Sequence, residues 1–204
     1  MTPVAQTING WTRKVPAWPL YILAVIPPAL LFYKGVVGTL GIDPVKEMEH
    51  QIGLYGLQVL IATMCVTPLR RFTGINLIKY RRALGLITFF YITCHLSVWL
   101  FLDVQIWSQI WADIVKRPYI TIGMGAFILM IPLAVTSNNW SIRKLRKNWT
   151  KLHKLIYPAV LLGGIHFLLL RKGIQLEPLI YLTIIVVLLV LRLPPIAQRR
   201  TARA

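Results

Sequence analysis

Acidic side chains are scarce, with six Asp and Glu against 23 Lys and Arg in 204 residues. Cysteine is scarcer, and two residues cannot build a disulfide framework. Charged residues of both signs make up only 14%, where a soluble domain carries about 25%. Hydrophobic residues reach 56%, so the composition argues against both a water-soluble globule and a disordered chain. Motifs are missing too. No Gly-x-Gly-x-x-Gly follows a strand and there is no P-loop. No Ser-His-Asp constellation sits at a plausible surface. The longest loops, about 15 residues, leave no room for a soluble flavin or nicotinamide domain. There is no fixed-period repeat and no low-complexity tract.

What is present is a series of uncharged stretches near the roughly 20 residues that cross a bilayer. They fall at about 15–33, 51–69, 83–102, 118–138, 152–170 and 177–193. The expected architecture is therefore all-α: one polytopic domain over residues 1–204, a bundle of six transmembrane helices. The last stretch is the shortest, and it spans only if Arg192 snorkels to the interface. The first has a basic flank but no A-x-A-like site after it, so it reads as an uncleaved helix.

Six spans place alternate loops on opposite sides. One side holds seventeen basic residues and no acid, among them Arg81, Arg82, Arg143, Lys151, Arg192, Arg199, Arg200 and Arg203. The other holds Lys34, Lys46, Lys116, Arg117, Arg171 and Lys172 together with all six acids. The positive-inside rule then puts both termini in the cytoplasm. It also accounts for the net charge of +17 without nucleic acid.

Ionisable residues inside a membrane point to function. His95 lies within the third span and His166 within the fifth. His95 stands thirteen residues beyond Arg82 and His166 twelve beyond Lys154, or roughly 20 and 18 Å along a helix. Two imidazoles at matching depth on facing helices suit the axial positions of a haem iron, and bundle cofactor sites are built this way. Gly163 and Gly164 would leave room for a flat macrocycle or would serve close helix packing. A zinc site needs three or four ligands, and no carboxylate or cysteine cluster lies at this depth. Cys65 and Cys94 read as small apolar fillers.

His153, near the inner surface, is about 140° from His166 on an ideal helix, although Pro158 can alter that phase. It is a third candidate, for haem, quinone or flavin. The position matching it on the third span is Arg82, beside Arg81, and neither is a normal haem ligand. The spacing thus supports one bis-histidine haem well and a second poorly. Arg81 and Arg82 either anchor the positive side or hold a flavin phosphate or haem propionate by charge-assisted hydrogen bonds. His50, beside Glu49, is a candidate contact for quinone or an electron acceptor.

Several pieces, in order, carry a resemblance. They are Gly41-Ile42-Asp43-Pro44-Val45, His50-Gln51-Ile52-Gly53, Thr67-Pro68-Leu69-Arg70 and Arg81-Arg82-Ala83-Leu84-Gly85-Leu86. They continue with His95-Leu96, Arg117-Pro118-Tyr119-Ile120-Thr121, Leu152-His153-Lys154-Leu155-Ile156-Tyr157 and Ile165-His166. Together they resemble the haem-binding membrane subunits of bacterial protein-methionine-sulfoxide reductase systems, within the ferric-reductase-like transmembrane group. The resemblance implies haem b held by histidines of the third and fifth helices, here His95, His153 and His166, with haem between those helices. It implies bound FMN, and electrons drawn from the quinone pool or from a cytoplasmic flavin reductase. It implies a periplasmic molybdopterin methionine sulfoxide reductase as acceptor, repairing oxidised methionine. Such a chain is an electron-transfer subunit without its own substrate-reducing site. One departure from the wider group is that the third helix carries a single histidine. The rival expectations are a stand-alone ferric or oxygen reductase on the same scaffold, a small histidine-dependent membrane transporter, and a purely structural anchor.

Overall fold

The computed structural model describes residues 3–170, 173 and 175–192. Arg171, Lys172, Arg199, Arg200 and Arg203 of the charge tally, and Leu193 at the end of the sixth stretch, lie outside the described residues. The regular elements of the described chain are all helical. Its α-helices are α1 (Pro3–Lys14), α2 (Pro19–Val36), α3 (Pro44–Thr73), α4 (Arg81–Val98) and α5 (Trp107–Lys116), followed by α6 (Pro118–Val135), α7 (Asn139–Leu145), α8 (Lys147–Leu152), α9 (Ile156–Leu170) and α10 (Leu176–Leu191).

Among the described residues, five stretches are long and apolar enough to cross a membrane: Pro19–Val36, Pro44–Thr73, Ile78–Val104, Pro118–Val135 and Lys147–Leu170. Helix α10 is apolar but has 16 residues, about 24 Å of helix. Arg192, just beyond it, does not reach outward. Its Nη2 donates to the Met64 carbonyl at 2.7 Å. That carbonyl lacks its normal helical partner because residue 68, four positions on, is a proline without an N–H. Arg192 thus fills a vacancy that Pro68 opens in α3 and ties α10 to it.

Sequence punctuation explains the helix ends. Helix α3 starts at Pro44, and the Asp43 side chain caps it by accepting from the Lys46 N–H at 3.2 Å. It ends at Gly74, whose φ of 78° stops the helix. The polar ends of α3 are therefore helical as well, which extends it beyond the expected 51–69. Pro16 and Pro19 separate α1 from α2, so the first long helix begins later than residue 15. Helix α4 runs into a wider π-type turn, Trp99–Val104, that ends at Gln105 with φ 59°. Helix α1 docks against the α3–α4 loop. Asn9 donates to the Gly74 carbonyl and accepts from the Asn76 N–H, and Lys79 donates to the carbonyls of Thr12 and Arg13.

The core divides along the helix pairs. Met48, Ile52, Ile87 and Tyr91 join α2, α3 and α4. Leu60, Met64, Val160 and Ile185 join α3, α9 and α10. Outward positions such as Ile22, Leu23 and Phe32 of α2 or Val187 and Val190 of α10 are apolar and exposed, as a lipid-facing surface requires. Hydroxyls inside the bundle are satisfied by their own helix. Thr88, Thr93 and Ser97 each donate to the carbonyl four residues back. Cys65 and Cys94 are free thiols packed against these clusters.

Candidate functional site

Helices α3 and α6 both begin at the same end of the bundle, and α4 and α9 both rise towards it. This brings His95 and His166 together, with ring centroids 6.2 Å apart and planes at 79°. Each ring is fixed from behind. His95 Nδ1 donates to the Glu49 carbonyl at 2.9 Å, and His166 Nδ1 donates to the Tyr119 carbonyl at 2.7 Å. A carbonyl can only accept, so both imidazoles carry the proton on Nδ1. In the neutral tautomer Nε2 then keeps its lone pair for a ligand.

Both rings border a cavity of about 600 Å³, within the usual range for a bound small molecule. Leu57, Leu60, Phe127, Met130 and Phe167 give it apolar walls, and Gly163 forms part of them. Its mouth is polar, lined by Asp43, Lys46, Glu47, Glu49, Asp103 and Arg117. Arg117 sits between α5 and α6. Its Nη1 donates to the Tyr119 hydroxyl at 3.4 Å, and its Nε pairs with Asp113 at 3.2 Å. The hydrogen bond to Tyr119, and after it the nearby acids, raises the Arg117 pKa above its usual value, so a full positive charge stands at the mouth.

His50 also lines the cavity and lies 5.9 Å from the Phe167 ring. His153 does not line it. It stacks on Trp149 at 3.8 Å, and its Nε2 lies 3.1 Å from Thr136 Oγ1. That hydroxyl gives its own proton to the Pro132 carbonyl, so it accepts from His153 Nε2. The nitrogen left available on His95 and His166 is therefore the one already engaged on His153. Arg81 and Arg82 stand at the far end of α4 and are not part of the cavity lining. Among the described residues no group of three or more His, Cys, Asp and Glu is placed to hold a metal ion.

Residues 50–164 match the family described as ferric reductase like transmembrane component. The chain belongs to that family. It is also 48% identical, over 91% of its length and 86% of theirs, to curated relatives from Brucella ovis, Brucella canis and Brucella suis. Each of these is named protein-methionine-sulfoxide reductase heme-binding subunit MsrQ. No solved structure matches the chain. The matched segment contains His95, Gly53, Gly123 and the Tyr119 carbonyl, while Glu49 lies just before it and His166 just after it.

Three features of the site were not legible as such. The polar mouth around Lys46 and Arg117 reads in sequence as ordinary loop charge. Gly53 and Gly123 lie directly under the histidine rings, where a Cβ would stand 2.9 Å from His95 Nδ1 and 2.6 Å from His166 Nδ1. The expected pair Gly163-Gly164 divides its roles. Gly163 borders the cavity, while Gly164 admits α10, since a Cβ there would stand 2.8 Å from Ile185 Cδ1.

Proposed function

We propose that this chain is the haem b electron-transfer subunit of a bacterial methionine sulfoxide reductase system, with His95 and His166 as the axial pair. The single observation that carries the reading is the pair of carbonyl-anchored imidazoles facing one cavity. Their ring centroids, 6.2 Å apart, leave room for one metal centre between the rings, which both imidazoles would hold. The apolar walls suit a macrocycle. Lys46 and Arg117 at the mouth suit its propionates, a role that the sequence had offered to Arg81 and Arg82. When bound, haem supplies a reversible one-electron carrier.

The chain's own residues position and tune that carrier. The Glu49 and Tyr119 carbonyls raise the basicity of the two imidazoles and fix their tautomers. The apolar walls keep water away. His50 lies between the cavity and its mouth, where a quinol or an electron acceptor would approach. His153 remains a candidate for the inner side, where quinone or flavin would bind. FMN binding and a cytoplasmic flavin reductase as donor rest on the resemblance, and no residue is assigned to either. The proposed route runs from the quinone pool to a periplasmic molybdopterin reductase. The proposed topology places α1, α7 and α8 in the cytoplasm, α5 in the outer interface, and α10 as a short sixth crossing of the inner membrane.

The test is an optical spectrum of the detergent-purified protein, oxidised and reduced, with haem counted per chain. A low-spin b-type spectrum near one haem per chain, with reduction by quinol and reoxidation by the periplasmic reductase, is the expected result. A colourless protein from haem-replete cells overturns the reading.

A further inference from the structure

The two cavity histidines share a construction that ordinary helix geometry does not provide. In an α-helix the carbonyl of residue i accepts from the N–H of residue i+4, and its second lone pair is free. The Cα–Cβ bond tilts back towards the helix N-terminus, so the Cβ of residue i+4 normally covers that carbonyl from the side. Here the carbonyls that take a second hydrogen bond are those of Glu49 and Tyr119. The residues four positions on are Gly53 and Gly123. Each imidazole lies in the space that a Cβ would occupy. At Gly53 that atom would be 2.9 Å from His95 Nδ1 and 3.1 Å from Cε1. At Gly123 it would be 2.6 and 2.9 Å from the same atoms of His166. The arrangement occurs twice, on different helices, with the carbonyl 46 residues before one histidine and 47 before the other.

We propose that Gly53 and Gly123 are positioning residues for the axial histidines: each uncovers one helix carbonyl so that an imidazole can bond it laterally and present Nε2 to the iron. The proposal rests on the axial reading of His95 and His166. An alanine at either position has to push the ring off the carbonyl, because the ring is held too tightly to slide while keeping a bond of 2.7–2.9 Å. The histidine then loses its outer partner. Loss of such a partner typically costs a ligated metal 10–100-fold in affinity and makes the imidazole a weaker donor.

The experiment compares Gly53→Ala and Gly123→Ala with two controls in detergent-purified, haem-loaded protein. At Gly125, two residues along α6 from Gly123, a Cβ meets only Leu162 Cδ1 at 3.8 Å. At Gly164 it meets Ile185 at 2.8 Å, a clash of similar severity with no histidine involved. Haem dissociation, midpoint potential and thermal midpoint are measured for each. Gly53→Ala and Gly123→Ala should each weaken haem binding about 10–100-fold and shift the potential upward. Gly125→Ala should match the parent. Gly164→Ala should lower the thermal midpoint and leave haem affinity and potential in place.

Parent-like affinity and potential in both glycine variants would overturn the proposal, as would equal shifts in Gly164→Ala. If a glycine variant does not accumulate, pulsed EPR of the unsubstituted protein decides. Exchangeable protons on both axial imidazoles bonded to protein carbonyls support the proposal, and protons bonded to solvent overturn it. The axial reading fails separately, if His95→Ala or His166→Ala retains haem with an unchanged spectrum.

Discussion

In the α3–α4 pair, the His95 ring rests on Gly53 and bonds the Glu49 carbonyl; in the α6–α9 pair, the His166 ring rests on Gly123 and bonds the Tyr119 carbonyl. At the opposite end the two pairs part company. Thirteen residues before His166 stands His153, engaged with Thr136 and Trp149. Thirteen before His95 stands Arg82, an exposed cation at the start of α4. One end of the molecule repeats a device closely, and the other does not repeat it at all. The physical difference is what each end must hold. On the proposed axial reading, one iron would impose the same demand on both pairs, and each supplies an anchored imidazole. The basic end is expected to serve topology and lipid contact, which sequence can satisfy in many ways.

The comparison breaks outright if the two halves of the histidine end are not equivalent. His95→Ala and His166→Ala should each abolish the b-type spectrum, the largest effect expected. Retention of the low-spin spectrum by one of the two would show that the pairs are not symmetric partners.

The basic end offers a sharper test through Arg192. Arg192→Met leaves the Met64 carbonyl without a partner, and an unsatisfied buried acceptor costs about 1–3 kcal/mol. Thermal unfolding in detergent should register the loss while haem content is kept. In a Pro68→Ala background the helix supplies its own N–H to Met64, so the cost of Arg192→Met should fall markedly. An undiminished cost would show that Arg192 acts in some other way.

His153→Ala tests whether the second end contributes to the cofactor. It should keep the spectrum of the His95–His166 pair and lose about 1 kcal/mol of stability with the Thr136 bond. Loss of half the haem would instead make His153 a ligand.

Tyr119→Phe should have the smallest effect. It removes the hydroxyl that accepts from Arg117 and leaves the Tyr119 backbone carbonyl on His166. The Arg117 pKa should drop back from its raised value. Because that value already lies far above neutrality, the charge and the haem spectrum near pH 7 should not change. A spectral change would place the hydroxyl itself at the cofactor.

Much of this was legible in one dimension because the membrane enforces simple rules. Long uncharged stretches, the one-sided distribution of basic residues and the shared depth of His95 and His166 all follow from rise per residue and charge placement. The end of α10 was not legible. Snorkelling was the reasonable expectation for Arg192, but the proline at position 68 of a different helix created a nearer partner. The mouth of the cavity was not legible either. Lys46 and Arg117 lie 71 positions apart and line one cavity because α3 and α6 start at the same end. The His153 side chain could not be oriented from an ideal helix, because a 3-10 turn at His153–Leu155 separates α8 from α9.

The sequence by itself determined an all-helical membrane chain with two histidines at one level, because hydropathy, charge and helical rise are local quantities. Tertiary structure decided which nitrogen each histidine keeps free. That depends on a carbonyl and a missing Cβ on another helix, more than forty residues away, and no local pattern around His95 or His166 records it.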